Sequence, residues 1–257
     1  MTIVAAGIMA AIAAWVVWKL ARAGEFDRDI WEGMAQPNIW RAYWMGLLDT
    51  LKAAGTAIVL AIALGALLAA ARLSDHAWVR WPAWLFTEFF RAVPLLLLIM
   101  FVYFGLLHQL YWSLVVALTL YNGSVLAEVF RAGVQAVPSG QAEAAYAIGL
   151  RKGQVLRLVQ FPQAIAIMLP AIISQCVIVL KDTALGTIVG YFDLVAQARN
   201  IVLYFHVYVL PLSVGAAIFI ILNYSLSRLA IWVQARMSRS RRSAAVAGDP
   251  LEADTGA

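Results

Sequence analysis

The chain is poor in charge and nearly bare of the side chains that do chemistry. Asp, Glu, Lys and Arg make up 13% of its 257 residues, where a soluble domain carries about a quarter. Its one cysteine, Cys176, lies in an apolar run, which excludes a disulfide framework within the chain and marks the thiol as a small core group. The three histidines, His76, His108 and His206, are scattered and lack the spacing of zinc ligands. No G-x-x-x-x-G-K-S/T loop is present to cradle nucleotide phosphates, and neither G-x-S-x-G nor H-E-x-x-H occurs. These absences argue against an enzyme. No metal and no cofactor is expected on this chain, and any energy source must lie on a partner.

What is abundant is apolar. Hydrophobic residues reach 63% and the mean hydropathy is +0.82, so the chain reads as an all-α, polytopic membrane protein. Its net charge of +5 is then a matter of loop placement relative to the bilayer, with lipid and not nucleic acid as the surroundings. About six spans are expected: Ile3 to Leu20, Leu47 to Ala71, Glu88 to Leu107, Ser113 to Val134, Pro162 to Leu185 and Val207 to Val233. A signal peptide is the rival reading of the first, since Ala21-Arg22-Ala23 resembles a cleavage site. No basic n-region precedes it, and a retained helix is expected. Residues 23–43 mix charge with Trp31, Trp40 and Tyr43, as an interfacial segment does. Three parts follow: 1–43, an extra helix and external segment; 44–237, a five-helix core; and 238–257, a basic then acidic tail.

Charges near the spans need partners. Asp49 and Lys52, and again Glu128 and Arg131, are three apart on one helix face and should pair. Pro94 should fix a bend or a first turn. Asn122 and Ser124 lie deeper, where they either bond across helices or line a path. Lys181 and Asp182, adjacent in an apolar run, must face protein or water. Arg72 and Arg80, then Arg131, Arg151, Lys152 and Arg157, then the arginines from Arg236 to Arg242 fall on alternate loops. The positive-inside rule makes those loops cytoplasmic, along with both termini. Lys19 and Arg22 break the pattern, with Glu25 and Asp27 near enough to balance them.

The organising stretch is the polar run from Pro138 to Pro162. Ser139 can cap a short alanine-rich helix over Gln141–Ile148, Gly149 can end it in a left-handed conformation, and Arg151–Gln160 reads as a second helix with Val155, Leu156 and Val159 as its apolar stripe. Glu143-Ala144-Ala145, Gly149 after three residues, Val159 after nine more, then Phe161 and Pro162 resemble the EAA loop of ABC importer membrane subunits. The spacing is intact, with Val159 and Phe161 in place of Ile and Leu. Tyr103-Phe104-Gly105, the stretch AEVFRAGVQAVPSGQ and Lys181-Asp182-Thr183-Ala184-Leu185 resemble the polar amino acid branch (His, Glu, Gln, Arg) of that family. Tyr121-Asn122-Gly123-Ser124 and the run Gly149–Arg157 look most like actinobacterial glutamate-type permeases. Ala92-Val93 and Val125 depart from the branch pattern, which commonly has Gly-Thr and Tyr there.

The resemblance implies a type I importer (MetI-like) permease fold in the cell membrane. It implies that Glu143, Ala144, Ala145, Gly149, Val159, Phe161 and Pro162 dock a cytoplasmic ATPase dimer, where ATP and Mg are held. A second permease subunit, identical or related, and an extracytoplasmic amino-acid-binding protein complete the expected assembly. Asn122, Ser124, Lys181, Asp182 and Thr183 are the expected path residues, with glutamate or a related amino acid as cargo. The alternatives are an ATP-independent amino acid channel or secondary carrier, and a membrane scaffold or sensor subunit.

Overall fold

A proline sets the sharpest feature of the fold. The computed structural model describes residues 2–22, 24, 25 and 27–247, and these are helical with short links and no strand among them. Helix α4, Ala77–Ala92, and α5, Leu95–Phe101, meet at 102°. The Pro94 ring drives Val93 to extended backbone (φ −73°, ψ 127°), so α4 stops there and Pro94 caps α5. The bend expected at Pro94 is therefore present. The third span expected to start at Glu88 is not one straight segment, and α4 itself was not anticipated. Helix α5 widens into a π-turn over Val102–Leu107, which carries Tyr103-Phe104-Gly105.

Before the bend come α1, Thr2–Arg22, α2, Arg28–Met34, and α3, Pro37–Arg72. Proline at the first helical position is pre-set for the turn and loses no bond, so α3 starts well ahead of the expected Leu47. At 1.5 Å per residue its 36 residues reach roughly 54 Å, long enough to hold an interfacial turn and a span in one rod. After the bend come α6, Leu110–Gln135; α7, Ser139–Ala147; and α8, Lys152–Val155. A π-turn over Leu156–Gln160 joins α8 to α9, Phe161–Asp182, which tightens into 3-10 turns over Thr183–Val189. Helices α10, Leu194–Phe205, and α11, Val209–Ala247, complete the chain. Among the described residues four helices are long and apolar enough to cross a membrane, and a fifth if the bent pair counts as one. Helix α1 stands where the remaining one of the six spans is expected and is not among those five. Side chains over much of its first half lie outside the described residues, as do residues 248–257 of the expected acidic tail.

Two compact units share these helices. The first joins the chain up to Lys52 with Ala184–Ile221. Met34, Ile39, Tyr43, Leu194, Ala198 and Ile201 form its core. Its polar contacts mostly go to backbone. Glu25, buried, accepts the N–H groups of Tyr208 (3.0 Å) and Val209 (2.9 Å), which lack partners at the start of α11. Lys19 and Arg22 lie with their cations over the rings of Trp15 and Trp18 at 5.3 and 4.1 Å. Tyr43 donates to the Pro211 carbonyl at 2.7 Å, and Thr50 Oγ1 accepts Leu194 N–H at 3.1 Å. Asp193 caps α10 by accepting Ala196 N–H at 2.8 Å and also takes the Thr187 hydroxyl at 3.1 Å. Burial pushes the Asp193 carboxyl up to about 6.

The second unit comprises Ala53–Thr183 with the chain from Leu222. Helix α6 is its centre, with Leu126, Phe130 and Val134 packed on Ala61, Ala69, Ala164 and Met168 from α3 and α9. Helices α3 and α6 cross where Gly65 meets Gly123. A Cβ on Gly65 would sit 2.8 Å from Leu126 Cβ and 3.0 Å from the Gly123 carbonyl oxygen, the close approach that small residues permit between membrane helices. At the end of α6 the expected Glu128–Arg131 pair forms, and Arg72 of α3 joins it with Nη1 2.9 Å from Glu128 Oε2. In the first unit the expected pair of Asp49 and Lys52 also forms, at 3.4 Å.

Gly65→Val should lower thermal stability in detergent by about 1–3 kcal/mol, the usual cost of overpacking. Gly55→Val is the matched control, since nothing lies within 4 Å of a Cβ there; equal losses would remove the crossing as the cause. For Asp193 the folded carboxyl titrates near 6 and the unfolded one near 4. A raised acid favours the fold while protonated, so its contribution is full below about pH 4 and declines as pH rises toward 6. The melting temperature of wild type minus that of Asp193→Asn should thus fall by roughly 5–10 °C between pH 4 and pH 7. A flat difference would show that the carboxyl is not raised.

Candidate functional site

Between α6 and α9 the chain makes a polar hairpin whose turn obeys glycine chemistry. Helix α7 ends with Gly149 at φ +86°. Gly149 N–H reaches the Tyr146 carbonyl at 2.9 Å, and Leu150 N–H reaches the Ala145 carbonyl at 3.2 Å. These are the paired closing bonds of a Schellman motif, so Gly149 ends the helix as the sequence predicts. The start differs. Pro138 occupies the cap position and Ser139 is already helical, so the hydroxyl bond expected from Ser139 is not made. The second helix differs as well. It does not stop at Gln160 but runs through the π-turn into α9. That widened turn accommodates Pro162, which has no N–H for a regular helical bond.

The hairpin turns its signature outward. Glu143, Ala144 and Gly149 are exposed, and so are Tyr146 and Ile148, the latter at 79%. Ala145 is buried and Val159 half-buried, facing into the unit. Phe161 is partly exposed and lines an apolar groove of about 250 Å³ with Ile62, Leu73, Phe130 and Leu156; Pro162 beside it is exposed. Two polar contacts brace the base of the hairpin. Gln163 Nε2 donates to the Val159 carbonyl at 3.0 Å, and Lys152 pairs with Asp75 in the link after α3. The Lys152 ammonium holds the Asp75 carboxyl below the usual carboxylate range, with His76 and Arg80 adding to the effect.

The expected path residues separate into two groups. Asn122 is fully buried, donates to the Leu118 carbonyl at 3.0 Å and accepts from Gln175 Nε2 at 2.6 Å. It bonds across α6 and α9, one of the two roles open to it from sequence. Ser124, also buried, has no hydrogen-bond partner at its hydroxyl among the described residues. Farther along α9, Lys181 is exposed and Asp182 half-buried. Thr183 is buried and donates to the Leu180 carbonyl at 2.7 Å, where the α-helix tightens into 3-10 turns. Neither hydrogen bond nor ion pair joins the two groups among the described residues, and Lys181 and Asp182 do not pair with each other.

Gln175, the partner of Asn122, is not among the path residues expected from sequence. Two amides in facing apolar spans were the available signal. Arg72 was read as a loop marker, yet it completes the Glu128 cluster, which only the packing of α3 on α6 could reveal.

Comparison with known proteins bears on this geometry. Residues 33–239 match the family model of the binding-protein-dependent transport system inner membrane component. The chain is 39% identical over 248 residues to the glutamate transport system permease protein GluD of Corynebacterium glutamicum, covering 92% of this chain and 90% of that one. It is 35% identical over 221 residues to the glutamate/glutamine/aspartate/asparagine permease BztC of Rhodobacter capsulatus, covering 81% of this chain and 51% of that one. Among solved structures, an amino acid ABC transporter crystallised with histidines superposes with a TM-score of 0.73 at 30% identity, over 76% of this chain and 94% of that one. These relatives favour a permease subunit over a carrier without an ATPase or a scaffold. With the spans, the EAA hairpin and this match in hand, the chain belongs to the family of inner-membrane permease components of binding-protein-dependent ABC transport systems.

Proposed function

We propose that this permease carries glutamate or a closely related polar amino acid, and that the hairpin 138–162 is the handle through which an ATPase dimer drives it. Similarity to a glutamate permease along 92% of the chain carries the choice of cargo. The exposed Glu143, Ala144, Tyr146 and Ile148 support the handle. An apolar residue as bare as Ile148, beside an acid and at a rigid turn, is what a groove on a soluble partner can grip.

The basic residues put the hairpin and both termini on the cytoplasmic side. A second permease subunit, a copy or a relative, encloses the path, and an extracytoplasmic binding protein delivers cargo. ATP and Mg act on the partner, and this chain performs no chemistry. Closing of the ATPases pulls the hairpins and rocks the helices between inward-open and outward-open states around a site near mid-membrane. Glutamate has one negative charge in excess, and Lys181, exposed and without an ion-pair partner among the described residues, is a cation available to it.

Two experiments test this reading in liposomes holding the complex, internal or external ATP and labelled glutamate. Glu143→Arg together with Gly149→Val should abolish both ATPase co-purification and ATP-driven uptake, because a β-branched residue is strained at φ +86°. Retention of both would defeat the handle. Lys181→Met should reduce uptake at least tenfold while the ATPase still co-purifies; normal uptake would remove Lys181 from the path.

A further inference from the structure

Outside the hairpin and the path, the strongest unassigned feature is a cationic cavity of about 350 Å³ at the ends of α3 and α6, roofed by α4. Arg72, Arg80 and Arg131 line it with Gln135, Trp81 and Trp84. We infer that this cavity binds the phosphate of an anionic membrane phospholipid.

Glu128 is shared by Arg72 and Arg131, so it neutralises one guanidinium of the two. Arg131 spends a further donor on Gln135 Oε1 at 2.6 Å, a neutral partner. Arg80 is held by the carbonyls of Ser74 (3.1 Å) and Asp75 (3.4 Å) and makes no ion pair among the described residues; the Asp75 carboxylate, on which its charge also acts, is bonded to Lys152. The nearby acids are already engaged, Asp75 by Lys152 and Glu88 by Arg91 on its own helix. Three arginines thus line the space, and among the described residues Glu128 is the one acid ion-paired to any of them. The Arg72 side chain is only 10% exposed, with its Nη1 2.9 Å from Glu128 Oε2. A guanidinium carries several N–H donors in a planar fork that fits phosphate oxygens.

The surroundings select the source of that phosphate. Helix α4 buries Ala83 and Thr87 against the unit and leaves Trp78, Trp81, Trp84, Leu85 and Phe89 exposed. It turns 102° away from the span that follows. An amphipathic helix with tryptophans on its open face, adjoining a span, is built to lie at headgroup level. The cavity therefore opens where lipid phosphates are, beside rings that pack on the glycerol and upper acyl chain. Anionic lipids are attracted to basic residues at such a surface.

Native mass spectrometry of the detergent-purified full chain, titrated separately with phosphatidylglycerol, phosphatidylcholine and inorganic phosphate, tests the inference. Wild type should retain phosphatidylglycerol about tenfold better than phosphatidylcholine. Arg80→Gln should erase that preference and Arg80→Lys restore part of it, with unchanged thermal unfolding. Arg228→Gln, an exposed arginine elsewhere on the unit, should have no effect. Trp81→Ala with Trp84→Ala should weaken lipid binding. Equal loss in the Arg228 variant would mean only general attraction to basic surface and would overturn the site. Tight binding of inorganic phosphate, insensitive to the tryptophan changes, would overturn the lipid and leave a free-anion site. Preference surviving in Arg80→Gln and in Arg72→Gln would overturn the cavity altogether.

Discussion

Within a bilayer a polar group has no water to fall back on, so each must meet a partner inside the protein or sit at an edge. The second unit is arranged by that demand. Asn122 and Gln175 satisfy each other in the middle of the α6–α9 contact. Thr56 and Tyr111 do the same between α3 and α6 at 2.7 Å. Glu128 draws Arg72 and Arg131 together where these helices end. Three polar contacts at three depths fix the register of α3, α6 and α9. The apolar side chains between them, being no more attracted to one another than to lipid tails, supply close packing more than direction. The glycine crossing at Gly65 and Gly123 lets the backbones come near enough for those contacts to form.

The same demand explains what could be read in advance. Spans were visible because lipid-facing helices must be apolar all along, and Gly149 because a left-handed residue at a helix end narrows the choice to glycine. Pairs three residues apart, Glu128–Arg131 and Asp49–Lys52, follow from one helix alone. What escaped was set by contacts distant in the chain. Arg72 could be assigned to Glu128 only once α3 lay on α6, and Glu25 to the start of α11 only once that helix end was beside it. Helix α4 escaped because its apolar face alternates with Arg80, Glu88 and Arg91, which lowers its mean hydropathy below that of a span. Ser139 misled because Pro138 takes the cap position and shifts the helix start by one residue.

Continuity of α8 with α9 changes how the hairpin relates to the rest of the unit. Had the second hairpin helix ended at Gln160, a loop would separate handle from span and absorb any pull. Instead a single rod runs from Lys152 past Gln175 to Lys181, roughly 44 Å at helical rise. In the proposed cycle, force applied at Gly149 enters that rod at its first turn. The rod is softest at its π-turn, where the backbone bonds are already displaced around Pro162.

Beyond the π-turn the rod is held to α6 by the Asn122–Gln175 bond, buried and short at 2.6 Å. Such a bond resists sliding more than it resists joint rotation, because both amides would lose their partners in an apolar setting if the helices moved apart. Helices α6 and α9 are therefore expected to move as one block. Lys181, Asp182 and Thr183 lie at the far end of that block, where the α-helix tightens into 3-10 turns. The three residues that stand out chemically thus lie at the end of the rod remote from the proposed handle.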